Sequence, residues 1–185
     1  MTALSRPPTF RQIPYSDERI LALVMALRET HMNGGAKLAC FEVQHDGPAP
    51  WYWRSTDGEP DVDLSAFFTS TALMLALPEL RMADGFQRDP AWAWTGPFIL
   101  DGQLTEILVN GGVYNRYKGP PKDAKRLAEG FCDAIFGERY RDVNRTFYSS
   151  EAWSPWFSDV AWDSSWVILD DGEQRVWLLC VTDTD

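Results

Sequence analysis

The chain has 185 residues, 45% of them hydrophobic, with nine tryptophans and a formal net charge of −10. That length suits one domain with a real core, and the aromatic load excludes a disordered chain. So acidic a protein repels phosphate backbones, which disfavours nucleic acid as a ligand and welcomes a basic protein partner.

Arg6, Pro7, Pro8, Arg11 and Asp17 interrupt every apolar window near the start, so no secretory signal is expected. The longest apolar run, residues 72–77, is far short of the roughly twenty residues of a membrane helix. Cys40, Cys132 and Cys180 are odd in number and widely spaced, which predicts reduced core thiols and a cytoplasmic location.

In chain order, Ser16 offers a helix N-cap, Asp17 and Glu18 suit the dipole, and Ile20, Leu23, Val24 and Leu27 recur on one face. Asn33, Gly34 and Gly35 close this first helix. Residues 37–44 and 51–55 read as a strand pair, and Asp57-Gly58 opens a polar loop that runs to Asp63. With Asp63 as its cap, a second helix is predicted over 64–77, apolar nearly all round, and Pro78 is expected to end it or kink it. Trp92 and Trp94 alternate as on a strand.

Asp101-Gly102 between residues 98–100 and 104–109 predicts a hairpin with a type I′ turn. Pro120-Pro121 then starts a third helix, with Ala124, Leu127, Ala128, Phe131, Cys132, Ile135 and Phe136 on one face and Gly137 as its stop. Residues 165–169 and 175–181 flank Asp170-Asp171-Gly172 as a second hairpin. The expected architecture is one α+β domain over 1–185, a mixed or mainly antiparallel sheet built from hairpins with about three helices packed on one face.

Chemistry-bearing motifs are sparse. The only histidines, His31 and His45, stand without a Cys-x-x-Cys pair, and neither zinc nor a cysteine or serine triad is indicated. Asp63 is explained as a cap, Asp170 and Asp171 as turn formers, and Asp183 and Asp185 as a solvated end, so no carboxylate metal site is expected. Gly111-Gly112 lacks the spacing of a phosphate loop, and no cofactor is expected. The aromatic and basic run after it, Tyr114, Asn115, Arg116, Tyr117 and Lys118, forms a possible recognition loop.

Charge is unevenly spread: residues 111–150 hold 8 basic against 5 acidic residues, and residues 151–185 hold 1 against 8 together with five of the nine tryptophans. Trp153, Trp156, Asp159, Trp162, Asp163, Asp170 and Asp171 are therefore the expected partner-binding residues, an aromatic surface rimmed by acids. The resulting expectation is a non-catalytic acidic protein that neutralises a basic partner, toxin-like or nuclease-like, as immunity and inhibitor proteins do. The alternatives are a small enzyme or ligand-binding domain using Asp or Glu in a pocket by the 114–118 loop, and a subunit of a larger assembly.

Overall fold

The computed structural model describes residues 7–47, 49–56, 59–85, 90–140 and 144–185. Asp57-Gly58, expected to open a loop, lies outside the described residues.

A short strand, β1 (Thr9–Ile13), leads into helix α1 (Glu18–Thr30). The N-cap is Asp17 rather than Ser16, because the Asp17 carboxylate accepts the Arg19 backbone N–H at 2.9 Å. The Arg19 side chain bonds to the same carboxylate, and these hydrogen bonds lower its pKa to about 2. Strand β2 (Gly35–Gln44) pairs with β1, whereas β3 (Trp53–Thr56) pairs with β4 (Glu59–Val62) in a separate ribbon. The expected pairing of residues 37–44 with 51–55 is thus replaced: β2 finds its partners at β1 and at the last strand.

Two short helices, α2 (Ser65–Phe68) and α3 (Thr71–Ala76), occupy the stretch expected as one helix. Ser70 separates them by acting as a cap, its Oγ accepting the Leu73 N–H at 3.3 Å. Asp63 Oδ1 does accept the Ser65 N–H at 2.8 Å. After a two-residue edge strand, β5 (Ala93–Trp94), the segment read as a hairpin over 98–109 is instead helix α4 (Leu100–Asn110). Leu100, Leu104 and Leu108, spaced by four, are each fully buried, and Asp101 sits in the first turn where a carboxylate suits the dipole. Asp-Gly signals a turn only when strands flank it, and here the flanks carry helical spacing.

Helix α5 (Pro121–Phe136) ends at Gly137, whose φ of 54° is the left-handed conformation glycine adopts freely. Strands β6 (Asn144–Ser149), β7 (Ser164–Asp170) and β8 (Arg175–Thr182) follow, the last two as the expected hairpin. The six-stranded sheet is antiparallel in every pairing, ordered β1-β2-β8-β7-β6-β5. The fold is α+β.

Both faces of the sheet are covered, not one. Along β8, Trp177, Leu179 and Val181 enter a core with α1, α4 and α5, while Val176, Leu178 and Cys180 enter a second core with α2, α3 and Trp153. Strand β7 sorts the same way, with Trp166 and Ile168 on one side and Val167 and Leu169 on the other. Two-sided burial explains the near-continuous apolar runs of these strands. Among the described residues, no helix is long and apolar enough to cross a membrane.

Candidate functional site

The C-terminal ends of α1, α4 and β8 and the start of β7 converge at one end of the sheet, and the loop over residues 111–119 crosses it. Two buried carboxylates organise this end. Asp183, 1% exposed, accepts the Asn33 N–H through Oδ1 and the Val113 N–H through Oδ2, each at 2.8 Å. Asp163, also 1% exposed, accepts the Thr182 hydroxyl and the Val160 N–H.

The loop is built to a close fit. A Cβ on Gly112 would stand 2.0 Å from Asp183 Oδ2, and one on Gly111 would stand 2.1 Å from the Asn115 carbonyl oxygen. Gly112 N–H donates to both the Thr30 and Asn115 carbonyls, and Asn115 Nδ2 reaches the Glu29 carbonyl at 3.1 Å. Tyr117 packs against the helical core. Arg116 and Lys118 therefore project from a backbone that is tied down on both sides.

Two cavities flank the loop. One, of about 560 Å³, is lined by Arg28, Met32, Arg116, Tyr117 and Lys118 among others. The second, of about 440 Å³, shares Arg116 and is lined by His31, Asn110 and Trp162. His31 is 1% exposed; its Nδ1 lies 3.1 Å from the Leu27 carbonyl and 2.9 Å from Thr30 Oγ1. Burial lowers its pKa, so the ring is held neutral and Nε2, with no hydrogen bond to a described residue, is the nitrogen left to the cavity.

An exposed apolar stripe runs into the same region. Leu21 and Met25, 41% and 59% exposed, lie one turn apart on α1, and Met32, 63% exposed, stands in the turn two residues past the helix end. Tyr114, 65% exposed, is carried by the loop that Asn115 ties to Met32. The buried face of α1 absorbed the sequence reading, and the stripe on its back was missed; apolar residues at Leu21 and Met25, off the Ile20-Leu23-Val24-Leu27 face, are the signal that marks it.

The expected partner-binding residues do not share one surface. Trp153 is buried, its indole N–H donating to Ser165 Oγ at 2.8 Å and its ring packed edge-on against Phe68. Asp163 is spent on the internal bonds above. Asp170, 1% exposed, accepts Arg139 at 2.7 Å and the Glu173 N–H at 3.1 Å, closing the hairpin turn. These three are interior groups and cannot touch a partner directly. Trp156 is half-buried beside Phe157, Asp159 is exposed with φ 57°, and Trp162 is half-buried at the second cavity.

Strand β7, about 20 Å long, separates Asp171 beyond its far end from Trp162 and Asp163 before its start. Asp171 accepts the Tyr52 hydroxyl at 2.6 Å and Arg145 at 2.7 Å, while the Arg145 guanidinium covers the Tyr52 and Trp53 rings. This cluster joins the β3–β4 ribbon to the sheet. What the structure does bring together is Trp162 and the 114–118 loop, through Arg116.

Among the described residues, no group of three or more His, Cys, Asp or Glu side chains comes together as a metal-binding set. Comparison with known protein families, curated proteins and solved structures finds no match in any of the three.

Proposed function

We propose that this chain is a non-catalytic binding protein of the cytoplasm that engages and neutralises a basic protein partner, as inhibitor and immunity proteins do. The observation that supports this reading is the exposure of Leu21 and Met25 on α1 and of Met32 and Tyr114 beyond its end, on a chain of net charge −10. Large apolar side chains in a row on a soluble surface mark interaction sites more often than chance, and methionine adapts its shape to a partner. The overall charge of −10 supplies long-range steering toward a cation-rich surface.

Glu18 and Glu29 lie at the two ends of α1, and Trp162 adjoins the region through the cavity it shares with Arg116. Capture of a partner from extracts of the native cell, followed by surface plasmon resonance with the purified pair, tests the proposal. The partner is expected to be basic, and its on-rate to fall as salt rises past the point where the Debye length is about 8 Å. Met25→Asp with Met32→Asp is expected to weaken binding at least tenfold while circular dichroism stays unchanged. An acidic partner, or unaltered rates in that folded double variant, would overturn it.

A further inference from the structure

Among the described residues, most cations of this acidic chain are neutralised by a carboxylate of the same chain. Of the described Lys and Arg side chains, nine lie within 4.0 Å of a carboxylate. Among the described residues, only Arg28, Arg116, Lys118 and Lys122 lack such a partner, and three of these four line the single cavity of about 560 Å³ between α1 and the 111–119 loop. Glu29 is the one carboxylate on its wall, so the lining carries a net charge of +2 within a protein of −10.

The cations are also held in place. Arg28 donates its Nε to the Ala36 carbonyl at 2.9 Å, which fixes the guanidinium and leaves its terminal nitrogens free. Arg116 lies between Asn115, bonded to the end of α1, and Tyr117, packed on the core; Lys118 precedes Gly119, where a Cβ would strike the Tyr117 ring at 2.7 Å. Holding like charges together in the free protein costs energy that a bound anion relieves, and a fixed frame spares the ordering cost of binding. Guanidinium groups match the planar, two-oxygen edge of carboxylate and phosphoryl groups. The cavity volume falls within the range that holds small molecules, and Met32 and Tyr117 give it apolar wall.

We propose that this cavity is a binding site for a small dianion, a phosphoryl or dicarboxylate group on a compact apolar or aromatic body, held by Arg28, Arg116 and Lys118. The site shares Met32 with the proposed partner face, and its ligand is read from the three cations alone.

Thermal-shift and calorimetric titrations at constant ionic strength test it with inorganic phosphate and succinate, chloride serving as the control. Saturable stabilisation by phosphate alone assigns a phosphoryl ligand, and by succinate alone a dicarboxylate; either supports the site. Arg116→Gln with Lys118→Gln is expected to weaken binding at least tenfold, whereas Lys122→Gln, an unpaired cation outside the cavity, leaves it unchanged. If the double variant fails to fold, amide shifts in the unaltered protein decide, and they are expected to move at residues 28–32 and 115–119. No saturable response to either anion, equal weakening by Lys122→Gln, or shifts spread over the whole surface would overturn the site.

Discussion

The backbone N–H of Val113 donates to Asp183 Oδ2 at 2.8 Å, across 70 positions of sequence, and so ties the 111–119 loop to the end of the central strand β8. The other carboxylate oxygen holds Asn33 at the turn after α1. Asp183→Ala removes two charge-assisted bonds and leaves both donors in a nearly dry site, an expected loss of about 2–4 kcal/mol. Gly112→Ala is expected to destabilise as well, since its Cβ would collide with the same carboxylate. Urea unfolding checks both, and a loss below about 1 kcal/mol for Asp183→Ala would show that the loop is held by something else.

His31 gives the fold an acid sensitivity of known sign. Burial places its folded pKa below the unfolded value of about 6.5, so the unfolded chain takes up the proton more readily. Its contribution to stability is complete above about pH 6.5, is lost as the pH falls through that value, and levels off once the folded ring itself is protonated. Proton NMR is expected to show His31 titrating below pH 6.5, and His31→Gln to flatten the stability profile on the acid side of that value. Titration at or above 6.5 would reject this account.

The three thiols should be inert in the native protein. Burial pushes Cys40 up to about 12 and raises Cys132 and Cys180 further, so the reactive thiolate is suppressed as well as shielded. A disulfide reagent at pH 8 is expected to label none of them in the folded state and all three in guanidinium. Rapid labelling of native Cys40 would indicate that the β1–β2 edge opens.

Phe131 is fully buried among the α1, α4 and α5 side chains. Replacing it with Ala removes a ring from the middle of that core, for an expected loss of about 3–5 kcal/mol by denaturant unfolding. A cost under about 1 kcal/mol would mean that the surrounding helices close the gap.

Helix α5 was legible in the sequence because Ala124, Ala128, Phe131, Cys132 and Ile135 keep a 3.6-residue period that no strand can use. The β7–β8 hairpin was legible from Asp-Asp-Gly between apolar runs. Strands β1 and β6 were not, since Thr9–Ile13 and Asn144–Ser149 are short, polar and defined by their neighbours. Helix α4 was not read as one because Asp101-Gly102 matches a hairpin turn and Leu104, Glu106 and Leu108 also alternate, although Leu100, Leu104 and Leu108 keep the spacing of four that the helix buries. For the site, the 114–118 loop could be picked out by residue type, but its apposition to Arg28 and Met32 could not. The burial of Trp153, Asp163 and Asp170 likewise depends on contacts with Phe68, Thr182 and Arg139, far away in sequence.

The sheet order has a consequence for how the chain is made. Strand β2 has β1 on one side, but its other neighbour is β8, with Gly35 opposite Thr182 and Glu42 opposite Arg175. At 5–20 residues per second, a ribosome delivers β8 on the order of ten seconds after β2. Throughout that interval β2 presents an unpaired edge rich in apolar side chains, the kind of surface that recruits other nascent chains. Completion of the central sheet is therefore a late event, waiting for the Arg175–Thr182 strand to cover that edge.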